Sequence, residues 1–140
     1  MFTGIEHFAI AAHDTAGLAA WYEKHLGFRT HVAFENGPEP RKTYYIGVGE
    51  NTSLIEIIPA KRDVALSEKD NLAPGISHIA ILVSDFDGAV TALDKAGAKK
   101  EGAERAAPLG SRVQFYRDPE GNLFHLLWRP KPLAELIRNA

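Results

Sequence analysis

Hydrophobic and polar residues alternate along this chain in an order that occurs twice. Residues 4–11 alternate with a period of two and are apolar on both sides, which predicts a strand covered on one side and facing a cavity on the other. Residues 76–83 repeat this pattern. Apolar residues at helical spacing follow each strand, so we predict a helix beginning near Asp14 and another beginning at Asp85.

Three further strands are predicted after each helix. They cover residues 28–34, 43–48 and 52–58 in the first part of the chain, and residues 98–103, 112–117 and 122–129 in the second. Each part is therefore a βαβββ module, and the fold class is α+β.

The two modules predict the domain organisation. We place the first module at residues 1–59 and the second at 76–130, within a single domain spanning 1–140. The segment 60–75 is polar and charged, which is typical of a linker. Prolines then separate a short C-terminal helix within residues 131–140.

An internal repeat relates specific residues of the two modules. Gly4 corresponds to Gly75 and His7 to His78, and each second member follows the first by the same distance along the chain. A lone histidine in a strand is more often structural than a ligand. Two histidines at repeat-related positions favour a shared role in metal binding.

The last strands of the modules also correspond, and they place Glu56 opposite His125. Both side chains lie among apolar neighbours of the same strand. Burial of a carboxylate or imidazole is costly unless the group is hydrogen-bonded, paired or bound to a metal. Metal coordination is one solution, and an ion pair of Glu56 with an arginine such as Arg112 is another.

Composition excludes several classes of function. Lys and Arg are scattered and the formal net charge is −2, so we expect no nucleic-acid partner. The chain has no cysteine, which excludes disulfides, thiolate metal sites and a cysteine nucleophile. No apolar run approaches the length of a membrane span, and no signal peptide is apparent. We therefore expect a cytoplasmic protein without a membrane partner.

Four motifs together resemble the vicinal oxygen chelate superfamily, which includes glyoxalase I, extradiol dioxygenases and bleomycin resistance proteins. The motifs are Ile5-Glu6-His7-Phe8-Ala9, Trp21-Tyr22-Glu23-Lys24-His25-Leu26-Gly27-Phe28, Ile76-Ser77-His78-Ile79-Ala80 and Tyr116-Arg117-Asp118-Pro119-Glu120-Gly121-Asn122-Leu123-Phe124-His125-Leu126. The resemblance extends from about residue 4 to residue 129.

This resemblance implies a cupped, eight-stranded mixed sheet with one metal ion at its floor. The family positions map to His7, Glu56, His78 and His125 as metal ligands. Three imidazoles and a carboxylate suit one divalent ion of Fe, Mn, Co, Ni or Zn. The resemblance also implies a homodimer that binds a small-molecule substrate.

The chain departs from its relatives at three positions that affect function. His125 stands where most relatives have a glutamate ligand, which indicates either an adapted metal site or loss of the metal. Ala11 and Ala60 stand where glutathione-dependent glyoxalases have an arginine and an asparagine. We therefore expect an activity that does not depend on glutathione.

Three functions follow as hypotheses. The first is a metal-dependent lyase or isomerase that uses Lewis-acid catalysis on a small oxygenated metabolite, with Glu56 as the base. The second is a non-haem Fe(II) extradiol-type dioxygenase, and the third is a metal-free binding or resistance protein. The pattern also suggests residues that line the substrate pocket, although it leaves open which strand parity faces inward. They are Tyr44, Tyr45, Arg112, Gln114, Phe115 and Tyr116.

Overall fold

A computed structural model describes residues 4–35, 40–50, 53–66 and 72–138. The chain forms two compact units, Met1–Leu66 and Ser67–Ala140. The first unit contains β1 His7–Ala12, α1 Thr15–Leu26, β2 Arg29–Glu35, β3 Lys42–Gly47 and β4 Leu54–Pro59. The second contains β5 Ile79–Leu82, α2 Phe86–Lys95, β6 Lys99–Ala107, β7 Ser111–Arg117, β8 Leu123–Trp128 and α3 Leu133–Arg138.

Strand pairing is the same in both units. The strand orders are β1-β4-β3-β2 and β5-β8-β7-β6, and each sheet has four strands. The first and last strands of each module pair in parallel, while the other neighbours are antiparallel. The predicted α+β class with tandem βαβββ modules is confirmed. Residues 67–71 of the expected linker and 139–140 of the expected C-terminal segment lie outside the described residues.

Aspartates begin the first two helices through equivalent hydrogen bonds. The Asp14 carboxylate accepts from the backbone N–H of Gly17 at 2.8 Å, and the Asp85 carboxylate accepts from that of Gly88 at 3.0 Å. These bonds satisfy backbone donors that the first helical turn leaves without partners. Gly27, with φ of 68°, ends α1 in the left-handed region that glycine adopts without strain.

Each sheet has two faces with different roles. In the first unit, Ile46, Ile55 and Ile57 lie on the face that packs against α1, and all are almost completely buried. In the second, Phe124 and Leu126 are buried in the same way next to α2. Because side chains alternate along a strand, Glu56 and His125 point away from the helices. The opposite face, which neither α1 nor α2 covers and which we call the open face, carries Glu56 and His125. In the second unit this face also holds a buried hydrophobic cluster of Val113, Phe115 and Leu123.

The boundaries of β1 differ from the sequence-based prediction. Strand β1 begins at His7 rather than at residue 4 because its ladder with β4 runs only from His7 opposite Leu54 to Ala12 opposite Pro59. In the part of the chain that the structure describes, no helix is long and apolar enough to cross a membrane.

Candidate metal centre

The first unit brings His7 and Glu56 together on the open face of its sheet. Their strands are parallel neighbours, and His7 Nε2 lies 3.4 Å from Glu56 Oε2. The Tyr45 hydroxyl donates to the other carboxylate oxygen, Oε1, at 2.8 Å. The Tyr45 ring also makes a T-shaped contact with His7, with ring centroids 5.3 Å apart. One imidazole and one carboxylate are therefore held side by side by a shared tyrosine.

A second carboxylate contacts the remaining nitrogen of His7. Glu6 Oε2 lies in hydrogen-bonding contact with His7 Nδ1. This hydrogen bond is the main reason that the pKa of His7 is raised above its ordinary value, and the charges of Glu6 and Glu56 act in the same direction. A carboxylate on one imidazole nitrogen orients the ring and increases the basicity of the other nitrogen.

The second unit brings His78 and His125 together in the equivalent position. Their ring centroids lie 4.5 Å apart, and the Phe115 ring makes T-shaped contacts with both. His125 is only 9% exposed, and neither of its ring nitrogens has a hydrogen-bond partner among the described residues. Burial lowers the pKa of His125 to about 4, with further contributions from the neighbouring His78 and the cations Arg129 and Arg105. Burial also lowers the pKa of His78.

Ser77 orients His78 as Glu6 orients His7. The Ser77 hydroxyl lies 2.8 Å from His78 Nδ1. Sequence reasoning did not identify either residue as part of the site. The signal was present, however, because Glu6 and Ser77 each precede the repeat-related histidine by one position. The repeat therefore includes a ligand candidate together with the group that orients it.

These residues fit a divalent metal in their chemistry. Buried imidazole nitrogens without partners, together with a carboxylate, are nitrogen and oxygen donors of the kind that Zn and first-row transition metals bind. Each unit supplies two such residues. Among the residues the structure describes, no group of three or more His, Asp or Glu side chains is arranged so that it could hold a metal ion. A four-ligand site therefore stays a prediction.

The six residues suggested for the pocket lie on different faces of the two sheets. Tyr45 and Phe115 lie on the open faces with the histidines. Tyr44 has the opposite parity to Tyr45, and the Tyr116 hydroxyl donates to Asp94 of α2 at 3.1 Å. Adjacent aromatic residues therefore face opposite sides of each sheet. The sequence had left open which of them lies on the side of the histidines.

Arg112 and Gln114 share the helix-covered side with Tyr116. Arg112 Nη2 lies 2.8 Å from Asp87 of α2, and its Nε donates to Glu104 at 2.7 Å. Gln114 is buried and donates to the carbonyl oxygen of Gly102. These two carboxylates are the partners of Arg112, whereas Glu56 contacts His7 and Tyr45.

A cleft of about 490 Å³ lies beside Phe115 in the second unit. Arg105 and Leu123 line this cleft, together with the ion pair of Arg117 and Glu101. Sequence reasoning did not single out Arg105, because its side chain reaches the cleft only through the local geometry of β6.

The wider comparison with known proteins agrees with this architecture. Residues 4–126 match the model of the Glyoxalase/Bleomycin resistance protein/Dioxygenase superfamily. A relative in Bacillus subtilis (strain 168), the uncharacterised protein YwkD, is 28% identical over 120 residues, which cover 86% of this chain and 92% of YwkD.

Solved structures with the same fold include two of high coverage. The trypanothione-dependent glyoxalase I of Leishmania major has a TM-score of 0.76 and 21% identity, covering 99% of this chain and 94% of its own. A glyoxalase family protein from Enterococcus faecalis has a TM-score of 0.69 and 22% identity, covering 90% of this chain and 98% of its own. At this level of identity the likeness shows the fold. Because the family model spans most of the sequence and both modules, the chain belongs to the glyoxalase, bleomycin resistance protein and dioxygenase superfamily.

Proposed function

We propose that this protein is a metal-dependent lyase or isomerase that acts on a small oxygenated metabolite without glutathione. In this proposal one divalent ion of Fe, Mn, Co, Ni or Zn is held by ligands that all lie on the open faces of the sheets. The ligands are His7, Glu56, His78 and His125. The observation that carries the proposal is the buried His125 ring, which has no hydrogen-bond partner in the described part of the chain and lies against His78.

A buried imidazole in this state needs an explanation. Its two nitrogens are removed from water, and an unsatisfied buried polar atom costs about 1–3 kcal/mol. A metal ion accepts the lone pair of one nitrogen and removes part of that cost. The lowered pKa supports the same assignment, because only the neutral imidazole coordinates a metal.

Glu56 is the residue that we assign to proton transfer. Tyr45 holds one carboxylate oxygen by a hydrogen bond, and the second oxygen faces His7. Such a carboxylate accepts a proton from a carbon adjacent to a carbonyl and returns it at another position. A bound divalent ion would supply Lewis acidity that stabilises the negative charge developing on the substrate oxygen. Ala11 and Ala60 support an activity independent of glutathione, since neither side chain can bind a carboxylate or an amide.

Metal content tests the proposal directly. Protein purified without chelators is expected to contain about one metal ion per chain, measured by inductively coupled plasma mass spectrometry. His125→Ala and His78→Ala are expected to lose most of that metal. His31→Ala is the matched control, because His31 is an exposed histidine on β2. Equal and negligible metal in all four proteins, even after incubation with Ni, Co, Mn, Zn or Fe, would contradict the proposal.

Activity assays then separate the possible reactions. The proposed function predicts isomerisation or elimination that proceeds without oxygen. This activity should be lost in Glu56→Gln. Consumption of oxygen with a catechol-like substrate would instead indicate the dioxygenase.

A metal-free binding protein is the second candidate function. It is supported by the family match, which includes bleomycin resistance proteins, and by the cleft of about 490 Å³ beside Phe115. A binding protein would take up a ligand with the same affinity before and after treatment with a chelating resin, and this comparison distinguishes it from the enzyme.

The homodimer and the cytoplasmic location stay predictions from the sequence. Light scattering coupled to size-exclusion chromatography measures the mass in solution, and a dimer would have twice the 15.3 kDa of one chain.

A further inference from the structure

Arg105 lies on the same face of the second sheet as the histidine pair. Its guanidinium carbon is 4.8 Å from the centre of the Phe115 ring, a distance typical of a cation–π contact. The same Phe115 ring contacts His125 with centroids 4.7 Å apart. One aromatic ring therefore separates an exposed cation from a buried candidate ligand.

A bulge in β6 brings Arg105 to this position. Glu101 is opposite Phe115, but the register shifts before Arg105, which is opposite Val113. In an unbroken antiparallel ladder Arg105 would lie opposite Ser111, two residues farther along β7 from Phe115. Bulges commonly redirect a side chain next to a functional site.

The charge of Arg105 is not neutralised by the groups around it. In the cleft beside Phe115, Glu101 is paired with Arg117 at 2.5 Å. The adjacent carboxylate, Glu104, is bound to Arg112 at 2.7 Å. No ion pair joins Arg105 to a carboxylate within the described ranges of the chain. The cleft therefore carries a surplus positive charge.

A second cation extends this positive region. Arg129 follows β8 with the parity of His125, and its Nη1 donates to Ser111 Oγ at 3.0 Å. Both Arg129 and Arg105 are close enough to His125 to disfavour its protonated form. Such a surface attracts anions and repels cations.

The internal repeat shows that the fold does not require a cation here. Arg105 is opposite Val113, and the corresponding residue of the first unit, Phe34, is opposite Thr43. Phe34 stacks on Tyr45 with centroids 6.1 Å apart, as Arg105 stacks on Phe115. An apolar residue thus fills the same structural position in the other module. The architecture by itself therefore does not account for the guanidinium.

We propose that Arg105, held over Phe115, binds the carboxylate of the substrate, which makes the substrate a small oxygenated carboxylic acid. The planar guanidinium matches a carboxylate with two parallel hydrogen bonds, and Phe115 restrains its plane. Arg105 is then a specificity residue for the site that contains His125. This inference rests on the proposed function in one respect, namely that substrate binds on the face carrying the histidines.

The experiment uses the full chain, stripped of metal with a chelating resin, and two probes of the same shape. Lactate carries a carboxylate, and lactamide is its neutral analogue. Binding is followed by two-dimensional ¹H–¹⁵N NMR. We expect lactate to shift the backbone signals of Gly102, Phe115 and Leu123, and lactamide to bind at least about tenfold more weakly. The lactate affinity should also decrease as the salt concentration rises.

Three variants assign this preference to Arg105. Arg105→Gln is expected to bind lactate and lactamide equally, whereas Arg105→Lys keeps part of the preference because it keeps the charge. Arg29→Gln removes one exposed positive charge from β2 and is expected to behave as the wild type. Equal binding of the two probes by the wild type, or an unchanged preference in Arg105→Gln, would overturn the inference.

Metal content separates this inference from the proposed function. If the protein binds metal normally but does not discriminate between the probes, only the assignment of Arg105 fails. If the metal-free protein prefers lactate through Arg105 but none of the divalent ions binds, only the metal-dependent function fails.

Discussion

Acid should destabilise the metal-free protein through His125. Burial holds the pKa of His125 at about 4 in the folded state, against an ordinary value of 6.5. Between these two values the unfolded chain binds a proton at this position and the folded protein does not. The free energy of unfolding therefore decreases as the pH falls from 6.5 towards 4, and this loss is absent above the unfolded pKa.

The size of the effect follows from the two pKa values. The full difference corresponds to about 3 kcal/mol, because one pKa unit is about 1.4 kcal/mol. At pH 5 the expected loss is about 2 kcal/mol, since protonation of the unfolded chain is then nearly complete and that of the folded state is slight. This is a large part of the stability of a small domain, which is typically about 5–15 kcal/mol.

Urea unfolding at pH 7.5, 6 and 5 measures this loss. The two tryptophans, Trp21 and Trp128, lie in different units, so a Trp21→Phe background leaves a single fluorescent reporter in the unit that contains His125. His125→Leu replaces the titrating imidazole with an apolar side chain. The other titrating groups are present in both the background protein and its His125→Leu derivative. Their contributions therefore cancel in the difference between the two unfolding free energies.

That difference should change by about 2 kcal/mol between pH 7.5 and pH 5, in the direction that favours the leucine variant at acid pH. His31→Leu serves as the matched control, because it removes an exposed histidine that lies on β2 in the other unit. Parallel pH curves for the background protein and His125→Leu would refute the assignment of His125 as a buried neutral imidazole.

Three other predictions concern the hydrogen bonds and helix caps. Tyr45→Phe removes the donor to Glu56 and should weaken metal affinity by about 10- to 100-fold in competition with a chromogenic chelator. Thr43→Val, on the same strand, should leave that metal affinity unchanged. It should not lower stability either, because the Thr43 hydroxyl is buried and has no partner among the described residues. A loss of about 1 kcal/mol or more in the free energy of urea unfolding would contradict this expectation. Gly88→Ala should fail to stabilise α2, since a methyl group would lie 2.1 Å from Asp85 Oδ2 and displace the cap. In an Asp85→Ala background the same substitution should stabilise by up to about 1 kcal/mol, and additive effects in this double-mutant cycle would contradict the reasoning.

The amino-acid sequence determined the local structure and the repeat. Period-two alternation and helical spacing located the strands and the first two helices, since these patterns depend on which side of each element is buried. Asp14 and Asp85 were identifiable as helix starts because a cap bonds to a residue three positions away. The correspondence of His7 with His78 was also visible, because a repeat is a property of the chain alone.

Only the tertiary structure decided which residues meet. His7 reaches Glu56 because β1 and β4 pair in parallel, and such pairing joins strands that are far apart along the chain. The period of two could show that Tyr44 and Tyr45 face opposite sides, but the packing of α1 selects the side. Arg105 reaches Phe115 through a register shift in β6, which alternation alone does not reveal. These three features share one physical reason. Local sequence patterns report which side of an element is buried, whereas contacts between strands and the reach of long side chains depend on how distant segments pack together.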